Sequence, residues 1–105
     1  MAVFWITFRI SEKTVSGRSY ETRYTDLVEA IQTSAAGTKY WQEPTSFLAF
    51  ESIHPIETLA ARFKAKIAPS YDLFLLRQMD VKDAMICGQF DDQDIFTLMP
   101  YLKKA

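Results

Sequence analysis

The chain is expected to fold as an α+β domain, one antiparallel sheet with helices packed on one of its faces. Three observations predict this. VFWITFRI, residues 3–10, alternates with period two, which puts Phe4, Ile6, Phe8 and Ile10 on one face and Val3, Trp5, Thr7 and Arg9 on the other. PIETLAARFKAKI carries Ile56, Leu59, Ala60, Phe63 and Ile67 at helical spacing. YDLFLLRQM (71–79) and AMICGQF (84–90) are apolar runs of strand length on either side of a polar turn.

Taken in order, residues 3–10 form the first strand. The polar stretch SEKTVSGRSYETR follows, and a helix begins near Ser19 or Tyr20. Tyr20, Tyr24, Leu27, Val28 and Ile31 recur along it through about Ala35. Glu21, Arg23, Asp26 and Glu29 are expected mostly on the opposite side, and Gly37 suits the C-terminal cap. Pro44 cannot donate to a sheet ladder, so it divides KYWQEPTSFLAFES into strands at about 39–43 and 45–51. His54-Pro55 opens the second helix, and Pro69-Ser70 ends it. Strands at 71–79 and 84–90 come next. Asp91 or Asp92 is expected to cap a final helix bearing Ile95, Phe96, Leu98 and Met99, with Lys103 and Lys104 at its C-terminus. The order is β-α-β-β-α-β with a strand and a helix appended, which is the ferredoxin-like plan. Two helices would cover one face and leave the Trp5, Thr7 and Arg9 face open. An open apolar face of that kind usually meets a partner.

At 105 residues the chain reads as a single domain, with a core at 1–79 and an appended part at 80–105. A net charge of −1 argues against coating nucleic acid by bulk charge, although a local basic patch stays open. The single cysteine, Cys87, cannot form an internal disulfide. The N-terminus lacks the pattern of a secretory leader, and no run approaches the roughly 20 apolar residues of a membrane span. A cytoplasmic protein that does not enter the membrane is expected.

SFLAFES, the PIETLAARFKAKI helix, APSYDLFLLRQM and AMICGQF together resemble the small ferredoxin-like subunit of the CRISPR spacer-integration complex. They are also similar to its relatives, the virulence-associated protein D toxins, as is the spaced tyrosine pair of GRSYETRYTDLVEAI. The resemblance covers most of residues 3–90. It implies a homodimer whose open faces meet and whose fifth strand extends the partner's sheet. It also implies a CRISPR-associated-like or toxin–antitoxin-like setting and possible cleavage of RNA or DNA. In the nucleases of that group an aspartate ends the first strand and pairs with its mate to hold a divalent metal. The matching position here is Arg9, in Phe8-Arg9-Ile10. A guanidinium ligates no cation and stays protonated at biological pH, so the metal-dependent hydrolysis of that group is not expected. No metal or cofactor is expected. Glu12 is a distant substitute ligand and reads as loop.

Arg9 suits bidentate contact with a phosphate or carboxylate, or an interface salt bridge, for instance to Glu51. Trp5 suits either base stacking or dimer packing. Thr7 shares that face. Arg18, in Ser16-Gly17-Arg18-Ser19-Tyr20, precedes a helix N-terminus that could hold a phosphate. Tyr20, Tyr24 and His54 are the candidates for metal-free RNA cleavage. A tyrosine pair at helical spacing is more often core, and a lone histidine lacks triad partners. Cys87 reads as a buried thiol, and Asp91, Asp92 and Asp94 as acids at a helix N-terminus. Arg62, Lys64 and Lys66 make the second helix basic outside, either as a solvated face or as a track for a nucleic-acid backbone. The expected function is a non-catalytic homodimeric binding protein for RNA, DNA or a protein partner. The alternatives are a metal-independent endoribonuclease and a pure protein-interaction module.

Overall fold

The computed structural model describes residues 1–37 and 40–105. Its elements are β1 (Ala2–Arg9), α1 (Tyr20–Ser34), β2 (Tyr40–Trp41), β3 (Phe47–Ser52), α2 (Ile56–Lys64), β4 (Leu73–Gln78), β5 (Asp83–Gly88), α3 (Ile95–Leu98) and β6 (Leu102–Lys104). They form an α+β structure around one six-stranded mixed sheet in the order β2-β3-β1-β4-β5-β6. All neighbours are antiparallel except β5 and β6, which run parallel.

The period of two in β1 sorts its side chains as expected. Phe4, Ile6 and Phe8 are buried, while Val3, Thr7 and Arg9 are exposed and Trp5 is half-buried. The buried set meets Leu27 and Ile31 of α1 and Ile56, Leu59, Ala60 and Phe63 of α2. Leu48, Phe50, Phe74, Leu76 and Cys87 join from the other strands. Each fully buried large apolar side chain contributes roughly 1.5–3 kcal/mol. Ring contacts run through this layer from Phe4 to Phe50, Phe63 and Phe74.

Local chemistry sets the helix entries. Ser19 caps α1, its Oγ accepting from the Thr22 N–H at 3.2 Å. Pro55 stands just before α2, and Ile67 is buried in the turn beyond its end. Ser16 and Gly17 both have positive φ and form a two-residue turn closed by reciprocal Val15–Arg18 backbone bonds.

Several expectations need correction. The strand expected at 39–43 is only Tyr40–Trp41, and Lys39 lies outside the described residues. The next strand starts at Phe47 rather than 45, because Ser46 takes a left-handed φ of 56° and its carbonyl accepts from Phe8 N–H. The last helix is a single turn. Neither Asp91 nor Asp92 caps it, and Asp94 in that position makes no capping bond. Lys103 and Lys104 therefore lie on β6 and not at a helix terminus. Arg23, expected on the outer side of α1, is fully buried.

Candidate binding face

Cross-strand register identifies the residues on the sheet face turned away from α1 and α2. Residues directly opposite each other point to the same side. Trp5 lies between Ala49 and Arg77, Ala49 faces Trp41, and Arg77 faces Ala84. Thr7 lies between Phe47 and Leu75, and Leu75 faces Ile86. The face is thus continuous from Trp41 at one edge to Leu102, opposite Ala84, at the other.

This face is not open along its whole width. The C-terminal segment folds back over the β4-β5-β6 side, where Phe90, Ile95, Phe96, Met99 and Tyr101 pack on Ala84, Ile86, Leu102, Leu73 and Leu75. Arg77 helps to hold the segment through its guanidinium over the Tyr101 ring, 5.1 Å from the centroid, and it also donates to the carbonyls of Gln78 and Val81 at the β4–β5 turn. Among the described residues no element packs over the β2-β3-β1 side. Trp5 stacks on Phe47 at 6.1 Å, and Trp41, 51% exposed, meets Phe47 edge-on at 6.2 Å. Val3 is 40% exposed beside them.

Arg9 stands where the bare and covered halves meet, and its Nη2 donates to the Gln89 carbonyl at 2.7 Å. The expected alternative partner, Glu51, pairs with Val3 at the far end of β1, about 20 Å away at ~3.3 Å per residue. A salt bridge to Glu51 within one chain is therefore excluded. Thr7 Oγ1 donates to the Ser46 carbonyl at 3.3 Å. Arg9 also borders a groove of about 570 Å³ lined by Leu73, Leu75, Ile86, Phe90, Ile95 and Leu98, with Asp91, Asp92 and Asp94 along its rim.

The other candidate residues lie elsewhere. Arg18 bonds Asp26 Oδ2 at 3.2 Å and the Lys66 carbonyl at 2.7 Å, which ties the loop to the end of α2. Tyr24 packs edge-on against Phe8 at 5.4 Å and lies 5.7 Å from Tyr20, ring to ring. His54 follows Ser52, the partner of Ala2, and its Nε2 is 3.2 Å from Arg62 Nη1. Tyr24 and His54 thus sit near opposite ends of β1, and the structure does not bring them together. Cys87 is buried, and burial pushes its thiol pKa up against a smaller opposing pull from Lys64. Among the described residues no three His, Cys, Asp or Glu side chains converge as a metal-holding group. Also among them, no helix is long and apolar enough to cross a membrane.

One charged centre was missed by the sequence reading. Arg23 Nε donates to Asp72 Oδ2 at 2.9 Å, with both side chains fully buried. Arg23 also donates to the carbonyls of Arg18 and Ser11, while the N–H groups of Ser11 and Ala68 donate to Asp72. Burial alone would raise the Asp72 pKa. The Arg23 hydrogen bonds, the two N–H donors and the Arg23 charge outweigh it, and the carboxyl lies below its ordinary value. The signal was available in the spacing, since Arg23, Leu27 and Ile31 recur every four residues on one helical stripe. The centre ties α1 to the β1–α1 and α2–β4 loops.

No protein-family model, curated protein or solved structure matches this chain.

Proposed function

We propose that the chain is a non-catalytic binding protein of ferredoxin-like architecture that works as a homodimer through the bare half of its sheet. The observation that carries this reading is the aromatic cluster of Trp5, Phe47 and Trp41 on a strand face that none of the described elements covers. Burying such rings yields a large gain per residue, and aromatic side chains are enriched at the cores of interfaces. The β2-β3-β1-β4 strand order with α1 and α2 on one side supports the architecture. The resemblance to the small CRISPR-integration subunit and the virulence-associated toxins supports the same reading. Arg9 in place of a metal-binding aspartate, and the separation of Tyr24 from His54, support the absence of catalysis.

Trp5 and Trp41 are the only tryptophans, and both belong to this face, so intrinsic fluorescence reports on it directly. The proposal predicts a red shift in emission on dilution from micromolar to nanomolar protein, as the rings return to water. Emission independent of concentration and already that of exposed indole overturns it.

A second reading, single-stranded RNA laid across the same face, is favoured by the Trp5–Phe47 ring pair beside Thr7 and Arg9. It predicts RNA retention at low salt that weakens as salt rises and in Arg9→Ala. Absence of retention at low salt leaves the dimer and a protein partner as the function.

A further inference from the structure

We propose that the groove between α3 and strands β1, β4 and β5 is a docking site for a basic amphipathic segment of a partner protein. The inference rests on the binding-protein reading and names the partner's chemistry. It uses the acidic groove and not the bare aromatic half.

Two features of the groove point to this occupant. Its floor is apolar, built from Leu73, Leu75, Ile86, Phe90 and Ile95, and Leu98 stands at its edge with 76% of its surface in water. None of the side chains of α3 is fully buried, so Leu98 adds little to the fold it sits on. The volume of about 570 Å³ falls within the roughly 300–1,000 Å³ of ordinary ligand sites. The rim then selects by charge. Asp91, Asp92 and Asp94 face a single cation, Arg9, whose guanidinium is already held by the Gln89 carbonyl. An apolar floor beneath a net negative rim complements apolar side chains flanked by lysine or arginine, and it disfavours phosphate-bearing chains.

Among the described residues, neither α2 nor the exposed β4–β5 turn of a second copy offers that chemistry. The basic residues of α2 point outward, while its apolar residues Ile56, Leu59, Ala60 and Phe63 are buried in its own core. The exposed turn carrying Met79 and Val81 places Asp80 and Asp83 beside Lys82, so it is not basic.

The test uses the full chain and two labelled synthetic peptides, a helical leucine–lysine amphipath and its counterpart with every lysine replaced by glutamate. Fluorescence anisotropy is expected to show the lysine peptide binding at least about tenfold more tightly than the glutamate peptide. The triple variant D91N/D92N/D94N is expected to lose at least about tenfold of that affinity. Asparagine keeps an acceptor for the Asp94 N–H that Asp92 Oδ1 now receives at 2.9 Å, so the local turn survives. A control neutralising Glu21, Glu29 and Glu57, which lie on the helices, is expected to leave affinity unchanged. Amide shifts are expected at Leu73, Ile86 and Leu98. Equal affinity for the two peptides, equal loss in the control, or shifts confined to Trp5 and Phe47 overturn the proposal. Dimerisation without peptide binding removes this inference alone, and peptide binding by a monomer removes the dimer alone.

Discussion

At the scale of single residues, the buried Arg23–Asp72 pair is the strongest point of constraint. Breaking such a pair from one side leaves a desolvated charge without its counter-ion, at a cost of roughly 3–5 kcal/mol. Asp72→Ala should therefore destabilise the fold by about that amount in urea denaturation, since it also orphans the N–H groups of Ser11 and Ala68. The pH dependence follows from the same carboxyl. Its folded pKa is depressed, so its stabilisation is complete above the unfolded value near ~4 and is lost as pH falls through the lower folded value. The stability gap between wild type and Asp72→Asn is expected to be widest near neutrality and to narrow in strong acid. A gap independent of pH would show that the Asp72 charge contributes nothing. Gly88 is a second fixed point. Its φ is +122°, and an added Cβ would lie 1.9 Å from the Asp72 carbonyl oxygen. Gly88→Ala is predicted to cost at least about 2 kcal/mol, from strain and displacement together, read from the shift in denaturation midpoint.

At the scale of elements, the C-terminal segment is the least anchored. A single helical turn and a three-residue strand cover Ala84 and Ile86, and Leu102 is the main buried contact of β6. Leu102→Asp is expected to release residues 89–105 to fast hydrogen exchange while the amides of β1 and α1 stay protected, since locally weak units open first. Equal loss of protection in β1 would show that the segment belongs to the cooperative core. This was also the part least legible in the sequence. Ile95, Phe96, Leu98 and Met99 have helical spacing, but Pro100 stops the helix after one turn. The pairing of β6 with β5 is set by apolar rows on β5 that need cover, which no local pattern in Leu102–Lys104 announces. β1 and α2 were legible because their periods of two and 3.6 each match one buried face. Arg23 departs from the charge pattern: its charge alone points to solvent, whereas its i, i+4 spacing to Leu27 puts it on the buried stripe.

At the scale of the whole molecule, the sheet has three kinds of surface. One face lies under α1 and α2, half of the other lies under the chain's own C-terminus, and the remaining half carries the exposed Trp41 beside the half-buried Trp5 and Phe47. The alternation in VFWITFRI foretold the uncovered Trp5 side, whereas the half-cover by the C-terminus depends on contacts far apart in sequence. The proposed dimer follows from the bare half, and sedimentation of the wild type and Trp5→Glu across a concentration series tests it most directly. A wild-type species of twice the single-chain mass is expected at micromolar concentration, and a folded monomer for Trp5→Glu. A wild type that sediments as a monomer at tens of micromolar, or a variant that stays dimeric, would contradict it.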